Sequence, residues 1–232
     1  MGIFLAGFSA CSNEKPQQIQ CSVLIDITGS NAHSLQNFKS EDVLTVLDLK
    51  HNSQNAIEYR QAFITETFLN FTHQFTLSPA KSMLTGNEFD REEKIKEFTK
   101  KLETALSQVQ RETGGRKYSS VYVPFAREVN RMAQTTGNNK RIILLSDLVE
   151  NSEFLSFFAK NSQEDLEKSP EMIAEYFQKE LALADDLTGM TIHLVHQPNE
   201  RDNWVFKKLS RVYRAMLEKR GARVLIQANL ML

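Results

Sequence analysis

The sequence has little of what builds disulfide frameworks or zinc-thiolate sites. It contains only two cysteines, Cys11 and Cys21, in 232 residues. Two thiols cannot form a framework of several disulfides, and they do not show the paired spacing of a zinc site. The fold must therefore rest on an ordinary core, and a hydrophobic content of 41% is typical of a soluble globular protein.

An excess of charge of one sign is also lacking. Lys and Arg number 28, Asp and Glu number 29, and the formal net charge is -1. This balance gives no broad electrostatic reason for binding nucleic acid or anionic lipid. We expect no nucleic-acid partner, and any binding specificity must come from local sites.

Long hydrophobic runs are absent too. The apolar start, MGIFLAGFSA, is about half as long as the roughly 20 residues of a membrane-crossing helix. Small residues precede a cysteine there, and Phe8-Ser9-Ala10-Cys11 resembles a bacterial lipobox. The resemblance implies cleavage before Cys11 and lipidation of its thiol.

This motif sets the expected domain organisation. Residues 1–20 are predicted to be a signal remnant and tether, and residues 21–232 a single domain. The resemblance implies a bacterial cell-envelope lipoprotein, in the periplasm or at the outer membrane, that contacts the membrane through its lipid anchor. The alternative is that the apolar start is a buried strand or helix of the fold.

Short apolar segments alternate with amphipathic ones along the rest of the chain. Strands are predicted at 21–27, 56–65, 69–77, 141–148, 190–196 and 222–227, and helices at 35–49, 88–111, after Pro124, and at 170–184 and 204–220. The alternation predicts an α/β fold: a doubly wound, three-layer arrangement around a mostly parallel sheet with one antiparallel edge strand. Residues 151–169 have no clean period and are predicted to be an irregular insertion.

Three local expectations accompany this pattern. The strands at 56–65 and 69–77 are expected to form an antiparallel hairpin at the sheet edge, with its turn at 66–68. Ser40 is expected to cap the first helix, and Gly114 and Gly115 are expected to end the second.

Oxygen-bearing residues follow two of these strands. Asp26, Thr28 and Ser30 alternate where the first strand ends, and Asp147 ends the apolar run RIILLSD. Ligands of open α/β sheets bind outside the carboxyl ends of strands, so these side chains are expected to meet. Carboxylates and hydroxyls suit a hard cation such as Mg²⁺, whereas zinc and copper favour His and Cys, which are missing from this set.

The segment VLIDITGSN resembles the first motif of von Willebrand factor A-type (VWA) domains, in the copine-type variant with Thr at the middle position. The resemblance implies a Rossmann-like fold and a metal site formed by Asp26, Thr28 and Ser30, a hydroxyl from a second loop, and Asp147. Either Ser119 or Ser120 matches the second-loop position. It also implies an adhesion-type site in which Mg²⁺ (or Mn²⁺ or Ca²⁺) is bridged to an acidic residue of a protein partner.

Two alternatives remain open at this stage. Asp26 can instead cap a turn, which would leave a metal-free scaffold. The Asp26-Ile27-Thr28-Gly29-Ser30 segment also resembles haloacid-dehalogenase-type phosphohydrolases, in which Asp26 would be the nucleophile and Asp185-Asp186 the acidic pair. However, Thr28 stands where those enzymes have a second Asp, so a non-enzymatic binding module is the favoured interpretation.

Overall fold

The computed structural model describes residues 16–28, 38–49, 51, 53–65, 69–80, 88–109, 119–197, 203–228 and 230. Several sequence-based predictions fall outside these ranges. They concern the lipidation of Cys11, the ligand role of Ser30, the hairpin turn at 66–68, and the helix end at Gly114 and Gly115.

The described residues form six strands and six helices. The strands are β1 (Gln18–Asp26), β2 (Ala56–Ile64), β3 (Leu69–Leu77), β4 (Lys140–Leu145), β5 (Met190–Val195) and β6 (Arg223–Gln227). The helices are α1 (Ser40–Leu47), α2 (Glu88–Ser107), α3 (Tyr122–Ala133), α4 (Lys160–Lys168), α5 (Pro170–Glu180) and α6 (Asn203–Glu218).

The strands form one mixed sheet in the order β3-β2-β1-β4-β5-β6. All neighbouring strands are parallel except β3, which lies antiparallel to β2 at one edge. This confirms the prediction of a mostly parallel α/β sheet with one antiparallel edge strand. The segment 56–64, expected to lie at the antiparallel edge, instead pairs in parallel with β1 inside the sheet.

Two separate hydrophobic clusters cover the faces of this sheet. Because side chains alternate along a strand, Leu24 and Leu144 point into one cluster, and Ile25 and Leu145 into the other. The first cluster is completed by α3, α4, α5 and α6, and the second by α1 and α2. The central strands are thus buried on both faces, which explains why they are nearly continuous apolar runs.

Some predicted boundaries are wrong. β1 begins at Gln18, so the last part of the predicted tether belongs to the sheet. Ser40, expected to cap α1, is its first helical residue, and Lys39 occupies the cap position. The insertion at 151–169 contains the helix α4, whose single buried apolar residue, Leu166, gives too little periodicity to predict it. No helix in the described ranges is long and apolar enough to cross a membrane.

The two clusters lead to a prediction about stability. Leu144, in central strand β4, is fully buried, whereas Leu225, on edge strand β6, is half-buried. Leu144→Ala should lower the free energy of unfolding by about 2–5 kcal/mol, because it leaves a cavity beneath the helices. Leu225→Ala should cost roughly 1 kcal/mol. Urea denaturation of both variants tests this, and equal losses would contradict it.

Candidate metal site

The predicted site lies where the carboxyl ends of β1 and β4 meet. These strands are parallel neighbours, and Ile25 pairs with Leu145, so Asp26 and Ser146 leave the sheet side by side. β2, which follows β1 in the chain, pairs on the other side of β1, so the connections diverge there and leave a crevice. The expected meeting of the two strand ends is therefore observed.

Three of the predicted ligands form a chain of hydrogen bonds in this crevice. The Thr28 hydroxyl lies 2.5 Å from Asp26 Oδ1 and 2.6 Å from Ser119 Oγ. The backbone N–H of Thr28 also donates to Asp26 Oδ1, at 2.9 Å. Residues far apart in sequence thus place a carboxylate and two hydroxyls within contact of one another.

Ser146 is a member of the cluster that the sequence prediction did not include among the ligands. Its hydroxyl donates to Asp26 Oδ2 at 2.7 Å and accepts the N–H of Leu148 at 2.9 Å. Both oxygens of Asp26 are therefore hydrogen-bonded, which compensates for the complete burial of this carboxylate.

Asp147 is buried at the rim of the same crevice, next to Ser146 in the chain. Its Oδ1 accepts the N–H of Val149 at 2.9 Å, which closes a short turn. Leu148, inside this turn, has a positive φ of 63° although it is not glycine, a conformation that needs support from its surroundings. Its buried side chain and its hydrogen bond to Ser146 supply that support.

The loop before α3 separates the two serines that the sequence left unresolved. Ser119 faces Thr28, and its backbone exchanges two hydrogen bonds with Asn151, of 3.2 and 2.7 Å. Ser120 is buried, and its hydroxyl is hydrogen-bonded to the carboxyl of Glu150. This bond favours the charged form of Glu150 and so lowers its pKa, against the larger effect of burial. Ser119 is therefore the second-loop hydroxyl that joins the cluster.

Glu150 fixes the position of this loop. Its Oε2 accepts the backbone N–H groups of Val121 and Tyr122, at 2.9 and 3.0 Å, where α3 begins. Burial raises the pKa of Glu150 to about 7, although the N–H groups of Tyr122 and Val121 favour its charged form. The segment after β4 thus holds the Ser119 loop through both its side chain and its backbone.

Aromatic rings of α3, α5 and α6 pack together near Glu150 and Asp26. Tyr122 stacks on Phe177 with ring centroids 4.4 Å apart, and Tyr213 packs against Phe125 at 5.5 Å. Burial raises the pKa of Tyr213 well above its usual range, and the nearby charges of Glu150 and Asp26 raise it further. These apolar surroundings strengthen electrostatic interactions at the site.

The donor set suits a hard cation. Asp26, Thr28 and Ser119 offer only oxygen atoms, which Mg²⁺, Mn²⁺ and Ca²⁺ prefer. Within the described ranges no cluster of three or more His, Cys, Asp and Glu side chains is arranged to hold a metal, so such a site depends on its hydroxyls. Ser30, a further predicted ligand, lies outside those ranges.

Other candidate residues are not brought to this crevice. Asp185 and Asp186 precede β5, so they lie at the amino ends of the parallel strands, whereas Asp26 lies at the carboxyl end of β1. His193 Nδ1 is hydrogen-bonded to Gln227 on one face of the sheet, and His196 packs against Phe206 on the other, so the two imidazoles do not converge on one site.

No protein-family model matches this chain, and no curated protein does. A solved structure of a mutant PilB minor pilin from Streptococcus sanguinis is 11% identical, with a TM-score of 0.49, and the match covers 91% of this chain and 57% of that one.

Two further solved structures are more distant. Human COPII-coat protein Sec24c is 8% identical with a TM-score of 0.40, covering 94% of this chain and 30% of that one. The pilus adhesin SpaC from Lactobacillus rhamnosus GG, in an open conformation, is 11% identical with a TM-score of 0.41, covering 92% and 28%. The chain spans less than two thirds of each of these proteins, and similarities of this strength assign neither a family nor a function.

The pKa of Glu150 leads to a prediction about pH. A glutamate ordinarily ionises near pH 4.5, so between about pH 4.5 and 7 the folded state binds more protons than the unfolded state. Stability should therefore fall as pH rises through this window. Glu150→Gln retains an acceptor for the two N–H groups, and should be more stable than the wild type at pH 8 by up to about 3 kcal/mol.

Thermal or urea unfolding between pH 5 and 8 measures this difference, which should shrink toward pH 5. The control is Glu153→Gln, since Glu153 is exposed nearby in the chain. A Glu150→Gln variant that is destabilised equally at both ends of the range would contradict the prediction.

Proposed function

We propose that this chain is a VWA-like domain with a doubly wound sheet, which binds a hard divalent cation and, through it, an acidic residue of a protein partner. The observation that carries the proposal is the contact of the Thr28 hydroxyl with both Asp26 and Ser119. This contact joins the end of β1 to the loop before α3. The sheet order, the reversal of direction beside β1, and helices on both faces support the fold assignment.

The chemistry of the donors favours binding. Asp26 would supply negative charge, and the hydroxyls of Thr28 and Ser119 would supply neutral oxygen ligands, with Asp147 and Ser30 completing the chain's own contribution. A set with two carboxylates leaves coordination positions for water or for a carboxylate from outside. A bound cation would supply the positive charge that attracts this external carboxylate.

An enzymatic role is not favoured. In a phosphohydrolase of the haloacid-dehalogenase type, Asp185-Asp186 would be the acidic pair that acts with Asp26, but these residues precede β5 and so lie at the opposite end of the parallel strands from Asp26. Thr28, which stands nearest in sequence, has no carboxylate to act as acid or base. We therefore propose a non-enzymatic module.

A second candidate function is a metal-free scaffold. It is favoured by the hydrogen bonds that Asp26 accepts within the site, from the Thr28 N–H and from the hydroxyls of Thr28 and Ser146. These bonds satisfy a buried carboxylate without any cation. Partner capture that persists in chelator would favour the scaffold, and capture that is lost would favour the metal bridge.

The proposed location is the bacterial cell envelope, and it rests on the sequence Phe8-Ser9-Ala10-Cys11 alone. If Cys11 is lipidated, the folded domain is tethered close to the membrane surface. An envelope module that bridges to acidic residues would then act between neighbouring proteins of the envelope. Identification of the partner follows from crosslinking in membranes with and without chelator.

The central test removes the carboxylate. Isothermal titration calorimetry should show Mg²⁺ or Mn²⁺ binding to the wild type and no measurable binding to Asp26→Asn, because the variant loses the charged ligand but keeps its shape. Asp185→Asn is the control, since it removes one negative charge at the opposite end of the parallel strands from Asp26. A wild type without metal affinity, or an unaffected Asp26→Asn variant, would contradict the metal-binding proposal.

A matched pair of serines tests the assignment of the second loop. Ser119→Ala should weaken metal affinity by at least the roughly 10- to 100-fold that loss of an outer-shell partner costs. Ser120→Ala should change it little, because Ser120 lies on the Glu150 side of the loop. The same calorimetric titration compares the two, and the reverse ranking would show that Ser120 is the ligand.

A further inference from the structure

One face of the sheet is buried and apolar over β2 and β1 but polar and partly exposed over β4, β5 and β6. Strand register aligns Tyr59, Cys21, Arg141, Thr191 and Arg223 in a single row from β2 to β6. Tyr59 and Cys21 are buried beneath α1 and α2. The other three members of the row are polar and only partly buried or exposed.

The opposite face of the same strands has no such change. The next residues along β4, β5 and β6 are Ile142, Ile192 and Val224, which are all buried in the other cluster. The polar row is therefore not a feature of weakly apolar strands. It marks a region where one face of the sheet is not covered by the hydrophobic core and is accessible to solvent or to a ligand.

A cavity of about 520 Å³ lies over this region. Its walls include the last turn of α1, with Val46, and the strand residues Arg141, Thr191, His193, Arg223 and Leu225. A volume of this size falls in the range of small-molecule sites. The wall combines a polar floor with apolar sides.

The charges in the cavity are mainly positive. Arg141 and Arg223 flank Thr191, and their backbones are about 10 Å apart because two strand spacings separate them. In the described part of the chain, neither guanidinium forms an ion pair, and Arg141 Nε donates to Asn139 Oδ1 at 3.1 Å. Asp48 is the acidic residue of the lining and attracts Arg141 without forming an ion pair.

Burial and these positive charges shift the pKa values of two groups in the cavity, Arg141 and His193. Burial lowers the pKa of Arg141. Burial also lowers the pKa of His193, and the charges of Arg141 and Arg223 lower it further, although the hydrogen bond that His193 Nδ1–H donates to Gln227 Oε1 opposes this. Two arginine side chains thus border one partly desolvated space next to His193, an arrangement that an anion would stabilise.

We propose that this cavity binds a phosphate group, held between the guanidinium groups of Arg141 and Arg223 above the Thr191 hydroxyl. Arg141 and Arg223 come from the strands on either side of Thr191, and two such donor groups match a tetrahedral oxyanion, whose oxygens point in several directions. A planar carboxylate is already satisfied by one guanidinium. The remaining volume and the apolar sides near Val46 and Leu225 leave room for the organic part of a phosphate ester.

This site is separate from the candidate metal site. Arg141 and Thr191 are each the second residue of their strand, whereas Asp26 lies at the other, carboxyl end of β1. The phosphate proposal therefore stands or fails independently of metal binding.

NMR titrations with inorganic phosphate and with glycerol 3-phosphate, each against sodium chloride of equal ionic strength, test the proposal. The backbone amide signals of Thr191 and His193 should shift in a saturable manner. Tighter binding of glycerol 3-phosphate would identify an ester as the ligand, and equal binding would identify free phosphate. Succinate, a dicarboxylate, should bind more weakly than either.

Arg141→Gln and Arg223→Gln should each weaken phosphate binding about tenfold or more. Arg127→Gln is the control, since Arg127 is exposed on α3. Arg223 is exposed as well, so its variant is expected to fold even if Arg141→Gln does not. The His193 imidazole gives a second readout, because bound phosphate should raise its pKa.

Three results would overturn the proposal. They are the absence of saturable shifts, equal effects of phosphate and chloride, and an unchanged affinity in the Arg223→Gln variant.

Discussion

The complete burial of the Asp26 carboxylate is the constraint on which the site depends. A carboxylate with no exposed surface is costly unless its oxygens are hydrogen-bonded. Thr28 and Ser146 satisfy this requirement from two different strand ends. The pairing of β1 with β4 is what brings those ends together, so the chemistry of the crevice follows directly from the order of the sheet.

The same logic extends outward from Asp26. Thr28 contacts Ser119, and the Ser119 loop is held by Asn151 and by the buried carboxyl of Glu150. Three segments that are distant in sequence are thus joined by side-chain and backbone hydrogen bonds. Such a network has little freedom to rearrange, which favours a preorganised binding site over one that forms on contact.

Much of this arrangement was predictable from the sequence. Strongly apolar segments such as β1 and β4 are buried on both faces, so composition alone identifies them, and the alternation of strands and helices identifies the mostly parallel sheet. The convergence of Asp26 and Thr28 with the Ser146-Asp147 strand end followed from the rule that parallel strands end at a common edge. The antiparallel edge strand β3 was also predictable from its β-branched and aromatic residues.

Other features depend on tertiary contacts that leave no local pattern. Nothing in the sequence distinguishes Ser119 from Ser120, because the choice depends on which of them faces Thr28 and which faces Glu150. In the sequence Glu150 looks like an ordinary surface glutamate. Its position three residues after Asp147 could have indicated that it lies near the same strand end. α4 buries little more than Leu166, so its periodicity is too weak to detect. The row formed by Arg141, Thr191 and Arg223 exists only once the strand register is known.

If Asp26, Thr28 and Ser119 together hold a cation, as we propose, anomalous diffraction from crystals grown with Mn²⁺ will locate it. We expect one strong peak in the crevice at metal-ligand distance, about 2.1 Å, from oxygens of Asp26, Thr28 and Ser119. A well-ordered crystal with no peak there, in which Thr28 still bridges Asp26 and Ser119 directly, would contradict it.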